Sequence, residues 1–328
     1  MATVYLDHSG LELRPDGEAL AVYENGTRLR SLPLKLLDRV VVQGELSLTS
    51  GVLTRIVDTG ASVVFLSKRN SRRIATVLGH PHQDARIRLA HFAAALDTAF
   101  RTRVAAAWVR IKLRGQRRVL TDATGHRPDV RKALTDALRG LDTCLTQFPA
   151  AARAGVPSLM GIEGAASAAY FSGYCALFPD SLDFTGRNRR PPRDPVNACL
   201  SLTYTLLHHE AVSIAYAAGL DPYVGFLHAP AYGRESLACD LVEALRPAAD
   251  AWVQTLFRTR TLRAEHFNHD KGACLLGKAG RAHFYAEYER FAVAQRRHLR
   301  RLARTLVEAL RNGYGDEFDD AGFEAALS

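Results

Sequence analysis

Cysteine is scarce in this chain and never clustered. Cys144, Cys175, Cys199, Cys239 and Cys274 stand alone, with no C-x-x-C pair, which argues against a zinc site or a disulfide framework and predicts buried thiols in a reducing compartment. Long apolar runs are also missing: none reaches the roughly 18 residues of a membrane span. The start, Met1-Ala2-Thr3-Val4-Tyr5-Leu6-Asp7-His8, has no basic stretch leading into an apolar one, so no secretory signal is expected. A cytoplasmic protein without a membrane partner follows as the expectation. Acidic residues are outnumbered, 34 against 43 basic ones, for a formal charge of +9. Arg far exceeds Lys, and guanidinium binds phosphates bidentately, which makes nucleic acid the default partner. A GC-rich genome also inflates Arg, so the placement of the charges has to decide. The 328 residues suit two domains with a sizeable core.

From Val4 to Leu78 the pattern is one of short strands: Val4–Asp7, Leu11–Arg14, Leu20–Tyr23, Arg28–Leu32, Val40–Val42, Val63–Leu66 and Ile74–Leu78. Glu24-Asn25-Gly26 marks a hairpin, because Asn-Gly accepts the positive φ values of a tight turn. Within this region Leu46 to Asp58 carries apolar residues at helical spacing, with Ser47 as an N-cap. Beyond Gly79-His80-Pro81-His82 the period changes to three or four residues. Breaks are expected at 125–128, 148–157, 179–195, 219–222, 229–233 and 258–280. The fold class is therefore α+β and multidomain: a mostly antiparallel β domain over residues 1–80, then a larger all-α domain over 81–312. Residues 313–328, with Asp316, Glu317, Asp319, Asp320 and Glu324, read as an acidic, disordered tail.

Several charged or imidazole side chains sit among small and apolar neighbours: Glu163 in G-I-E-G, His228 in G-F-L-H, and Asp240 with Glu243 in S-L-A-C-D-L-V-E. A buried carboxylate is costly unless it is paired or binds a metal. Asp240 and Glu243, three apart, share a helix face, where like charges repel unless a cation lies beside them. The plainer readings are a first-turn Glu163, a hydrogen-bonded core His228 and a solvated acidic helix.

Order and context go further. G-I-E-G is followed by Y-F, R-R-P-P-x-D-P-V-N, G-L-D-P-Y-V-G-F-L-H and S-L-A-C-D-L-V-E-A-L-R-P, then by Glu265-His266-Phe267, Gly272-Ala273-Cys274-Leu275 and Gly280-Arg281 to Phe284. In that succession the chain resembles, over nearly its whole length, the CRISPR-associated endonuclease and integrase family, the catalytic subunit of the spacer-acquisition complex. The resemblance implies Glu163, His228 and Glu243 as metal ligands and Asp240 as a further acidic residue of the catalytic site. It also implies Mg²⁺ or Mn²⁺ as cofactor, which carboxylate oxygens with one imidazole suit. Further implied are double-stranded DNA as substrate, joining of fragment 3′-OH ends to a CRISPR repeat, a homodimer, and a small ferredoxin-like adaptation subunit. A plain metal-dependent nuclease and a non-catalytic DNA-binding scaffold are the competing readings.

Basic clusters offer DNA contacts. Arg187, Arg189, Arg190 and Arg193 occupy a Pro-rich segment, followed by Asn197 as a loop-orienting residue. Lys68, Arg69, Arg72 and Arg73 crowd a hairpin tip, and Arg86 and Arg88 begin the first long helix. His208-His209-Glu210 lacks the i, i+4 spacing of a metalloprotease helix and reads as helix surface. Arg296, Arg297, Arg300, Arg301 and Arg304 read as a solvated ridge, and Tyr170, Tyr174 and Tyr204 as core.

Overall fold

The structure is a computed structural model that describes residues 2–7, 9–67, 73–79, 82–188 and 191–312. It comprises two units, Met1–Gln83 and Asp84–Ser328. Lys68, Arg69, Arg72, Arg189, Arg190 and the 313–328 segment lie outside the described residues, as does the side chain of Arg73.

The first unit holds β1 (Ala2–Leu6), β2 (Leu11–Asp16), β3 (Ala19–Glu24), β4 (Thr27–Pro33), β5 (Leu37–Gln43), β6 (Leu46–Ser47), α1 (Ser50–Asp58), β7 (Ser62–Leu66) and β8 (Arg73–Val77). They form two sheets, ordered β1-β5-β7-β8 and β4-β3-β2-β6. The β3–β4 turn carries Asn25 at φ 50° and Gly26 at φ 81°, as the Asn-Gly pair demands. The antiparallel expectation holds for β2–β3, β3–β4 and β7–β8, but β1–β5, β5–β7 and β2–β6 are parallel. For β5–β7 the cause is α1, which carries the chain from the end of β5 back to the start of β7, and for β1–β5 it is the excursion through β2–β4 of the other sheet; such crossovers make the strands they join parallel. The unbroken run Val40-Val41-Val42, buried throughout, is the mark of a strand covered on both faces. Leu46 and Ser47 do not open the helix: they pair with Leu11 and Glu12 of β2, and α1 starts after Thr49 instead of Ser47.

The second unit is helical: α2 (Ala85–Leu96), α3 (Thr98–Thr124), α4 (Arg131–Ala154), α5 (Val156–Cys175), α6 (Pro195–Ala217), α7 (Ser236–Glu243), α8 (Arg246–Arg258) and α9 (Lys278–Arg311). Carboxylates close several starts, such as Asp97 on the amides of Ala99 and Phe100 at 2.8 and 2.9 Å, and Asp194 on Asn197 at 2.8 Å, each satisfying donors with no partner inside the helix. The expected break at 148–157 shrinks to Gly155. α4 runs through Pro149 to Ala154 because Phe148 and Ala151 are buried, and that packing outweighs the hydrogen bond a mid-helix proline removes. The unit is also not purely helical: β9 (Phe267–Asp270) and β10 (Ala273–Leu276) form a hairpin through Lys271 and Gly272, both at positive φ. No helix among the described residues is long and apolar enough to cross a membrane.

The core joins Phe100, Trp108 and Ile111 of α3 to Leu207, Phe226, Leu241 and Leu299. α4 and α5 pack so tightly that a Cβ on Gly173 would meet the Ala137 Cβ at 2.6 Å. Two surface expectations fail here. His209 and Glu210 are buried, and Arg296 is only 4% exposed, with its Nε donating to Glu210 Oε1 at 3.0 Å. The 3.6-residue period turns Arg296 inward while Arg297, Arg300, Arg301 and Arg304 remain exposed. Tyr170 and Tyr174 are fully buried core residues.

Candidate functional site

Glu163 is the eighth residue of α5, in the body of the helix, so it caps nothing. Glu243 ends α7, and His228 sits in the loop before it. α5 is thus brought beside a loop-and-helix segment far along the chain.

Asp240 organises this place. It is completely buried one turn before Glu243. Its Oδ2 accepts from the amides of Phe226 and Leu227 at 2.7 and 3.0 Å, and its Oδ1 from the His228 amide at 3.0 Å and the ring Nδ1 at 2.6 Å. Burial pushes the Asp240 carboxyl up, opposed by His228 and the backbone donors. Three of its four neighbours are backbone amides, which can only donate, and the ring Nδ1 takes the fourth position. With the ionised carboxylate as acceptor the imidazole donates from Nδ1, the arrangement in which Nε2 is the nitrogen able to ligate a metal. The turn fits only with glycine at its start: a Cβ on Gly225 would lie 2.8 Å from Asp240 Oδ2 and 2.7 Å from the His228 carbonyl. Phe226 anchors the turn in the core, edge-on to Phe100 and Trp108.

The two glutamates converge on a residue that sequence reasoning passed over. Lys112, in α3 and 4% exposed, donates to Glu243 Oε2 at 2.6 Å and also to Glu163 Oε1. Glu163 Oε1 accepts in addition from Ser167 Oγ at 2.9 Å, and Glu243 Oε1 pairs with Arg246 at 3.0 Å. Burial alone would raise the Glu243 carboxyl, but Arg246, Lys112 and the nearby His228 hold it down at about 2. Among the described residues no three His, Cys, Asp or Glu side chains are gathered closely enough to hold an ion; the point between the glutamates is held by the ammonium. The donor set still suits a divalent cation, since two carboxylates already converge on one positive charge and an oriented imidazole stands within electrostatic reach of one of them. Hard oxygens with a single nitrogen favour Mg²⁺ or Mn²⁺. Beside Glu163, the faces of Gly161 and Gly164 are open, with nothing within 4 Å of a Cβ there.

A polar layer extends from this point. Arg246 lies over the Tyr204 ring at 4.8 Å and Arg187 over the same ring at 5.3 Å. Tyr204 hydrogen-bonds Asp250, whose backbone carbonyl also accepts from Tyr174 at 2.7 Å. Arg187 is committed internally, to Asn197 Oδ1 at 2.7 Å and Ser201 Oγ at 3.1 Å. Asn197 orients this loop as expected, donating to the Gly186 carbonyl at 2.8 Å. Arg193 is exposed. Arg86 is exposed and pairs with Asp84 at 2.9 Å, and Arg88 is half-buried on the same helix. Lys112 left no usable signal: it is one cation among Arg110, Arg114, Arg117 and Arg118. Arg246 was legible only as the Arg of A-L-R-P.

Comparison with known proteins agrees with this architecture. The family model described as CRISPR associated protein Cas1 matches residues 4–290. The chain is 38% identical over 303 residues to the CRISPR-associated endonuclease Cas1 1 of Thermodesulfovibrio yellowstonii, covering 90% of this chain and 93% of that protein. A CAS1 protein from Thermotoga maritima superposes with a TM-score of 0.80 at 24% identity, covering 95% of this chain and 97% of the other. A casposase bound to integration product also gives 0.80, at 21% identity, with 98% and 93% covered. These two structures bear on the fold.

Proposed function

This chain belongs to the CRISPR associated protein Cas1 family, and from that membership we propose that it is a divalent-metal-dependent DNA endonuclease and integrase of CRISPR adaptation. The observation that carries the reading is the convergence of Glu163 and Glu243, from different helices, on one cation beside an imidazole held in place by a buried carboxyl group. A structural ion pair needs no oriented imidazole, and a DNA-binding scaffold needs neither.

Glu163, Glu243 and Nε2 of His228 would hold Mg²⁺ or Mn²⁺. The ion, when bound, supplies Lewis-acid polarisation of a phosphoryl oxygen and favours deprotonation of the attacking hydroxyl. The protein's part is preorganisation: Asp240 holds the ring, Gly225 lets the loop close over it, and Arg246 keeps Glu243 ionised. The open faces of Gly161 and Gly164 leave room for a DNA backbone to approach Glu163. When water attacks, a phosphodiester is cleaved. When the 3′-OH oxygen of a captured fragment attacks, a new P–O bond forms as the target P–O3′ bond breaks and its 3′-hydroxyl departs. One phosphodiester replaces another, so strand transfer requires no external energy source.

Arg193, Arg86 and Arg88 are assigned to phosphates of double-stranded DNA, together with Arg72, Arg73, Arg189 and Arg190. Arg187 instead stiffens the loop that carries Arg193. A homodimer and a small ferredoxin-like adaptation subunit complete the assembly, working in the cytoplasm. The test is a strand-transfer assay with a 3′-OH duplex, a supercoiled repeat plasmid and Mn²⁺ or Mg²⁺, with and without the small subunit. Joining that is lost with a blocked 3′ end and with Glu163→Ala supports the proposal. Cleavage without joining makes the protein a nuclease only, and binding without either reaction makes it a scaffold.

A further inference from the structure

The Lys112 ammonium lies where a metal is expected to act, and its surroundings account for its presence. Glu163 and Glu243 face each other from α5 and α7, in a place where Glu243 is 4% exposed. Two carboxylates that close together and poorly hydrated repel strongly. Arg246 pairs directly with one oxygen of Glu243 and acts on Glu163 only through the longer-range field of its charge, and Ser167 gives Glu163 a neutral hydrogen bond. Lys112 is the group that bridges the two acids, and it does so from α3, the helix that packs on both α5 and α7.

We propose that Lys112 is a resident counter-ion, a tethered cation that holds the glutamate pair together before metal arrives and competes with the divalent ion for it. The inference rests on the reading of Glu163 and Glu243 as metal ligands. Metal loading is then an exchange: the ammonium withdraws as the divalent ion enters, since both cannot occupy the point between the carboxylates. Lysine suits this role better than arginine, because it is a compact charge on a flexible stem and can swing without dismantling a planar bidentate pair. Two consequences follow. The fold is stable without metal, because the acids are never left facing each other alone. Metal affinity is also reduced, because only the fraction of molecules with Lys112 withdrawn can bind. Lys112 is thus a positioning residue that sets the metal-binding equilibrium.

A purely structural lysine would weaken metal binding on removal or leave it unchanged, whereas a competitor strengthens it. The experiment titrates Mn²⁺ into the full-length protein by calorimetry, with thermal melts of the metal-free and Mn²⁺-loaded forms. It compares wild type with Lys112→Met and Lys112→Gln, the glutamine keeping a hydrogen-bond donor should methionine not fold. The expected result is Mn²⁺ binding at least tenfold tighter in the neutral variants, a lower melting temperature without metal, and a larger rise on adding Mn²⁺ than in wild type. Affinity within twofold of wild type, or weaker, overturns the proposal. Glu163→Gln separates the two layers of inference: if it leaves wild-type Mn²⁺ binding intact, the ligand assignment itself is wrong. If Glu163→Gln abolishes binding while the Lys112 variants bind like wild type, only the counter-ion role falls.

Discussion

Asp240→Asn is the most incisive perturbation of this site, because it keeps the shape of the side chain and changes only what its oxygens can do. In the wild type the carboxyl oxygens face three backbone N–H donors and the His228 Nδ1, at 2.6–3.0 Å, and the ring donates to the ionised group. Asparagine offers one oxygen and one NH₂. The better orientation puts its oxygen on the Phe226 and Leu227 amides, leaving the NH₂ against the His228 amide and ring. The backbone amide cannot change role and becomes a buried, unsatisfied donor, which costs about 1–3 kcal/mol. For a domain of this size that corresponds to about 2–12 °C in Tm. The ring can respond: Nδ1 becomes the acceptor of the asparagine NH₂, and the proton moves to Nε2. The nitrogen that should ligate is then blocked, so Mn²⁺ affinity should fall by about 10–100-fold, the range for loss of a ligand-orienting partner. Calorimetric Mn²⁺ titration and a thermal melt of the same preparation read both effects. A folded variant that binds Mn²⁺ as wild type does, with an unchanged Tm, would refute the chain of reasoning from Asp240 to the His228 tautomer.

Two further substitutions probe the surroundings. Gly225→Ala places a methyl 2.8 Å from Asp240 Oδ2 and 2.7 Å from a backbone oxygen, so the turn must open. Overpacking of this kind costs about 1–3 kcal/mol, and divalent-ion affinity should fall with it; unaltered Mn²⁺ binding would show that the turn is dispensable. Burial lifts Asp250 to about 6, despite the hydroxyl of Tyr204 and the positive charge of Arg246. Its folded pKa is above its ordinary value of 3.8, so the contribution of Asp250 to stability should decline as pH rises from about 4 to 6. Asp250→Asn should therefore gain on wild type across that interval, by on the order of 2–3 kcal/mol, and then level off. Denaturant titrations at several pH values measure this, and a stability difference that does not vary with pH would contradict it.

Much of the first unit was readable because strands and turns are written locally. Asn25-Gly26 specified its hairpin, and most strand limits lie within a few residues of those read from the pattern. What escaped was pairing direction, because α1 joins β5 to β7 as a crossover and nothing within a strand says which neighbour it will meet. Leu46 and Ser47 were misread for the same reason: their helical spacing was genuine, but the free edge of β2 offered them hydrogen bonds. In the second unit, Pro149 is a strong local signal that burial of Phe148 and Ala151 overrode. Arg296 belonged to a basic run until the helix period brought it against Glu210.

At the site, acids and imidazole among small apolar residues drew attention to Glu163, His228, Asp240 and Glu243, and their order in the chain, through the family resemblance, made them candidates. Their division of labour was not legible. Spacing made Asp240 and Glu243 an equivalent pair on one helix face, and only the folded chain turns Asp240 into the loop that carries His228 while Glu243 faces Lys112. Lys112 itself, one basic residue on a basic helix, acquires meaning only when α5 and α7 bring two carboxylates to it. Sequence determined which reactive side chains the chain has to offer and the family it belongs to. Tertiary structure decided which of those side chains meet, because contacts such as Lys112 with Glu243, 131 positions apart, depend on helix packing that no local pattern records.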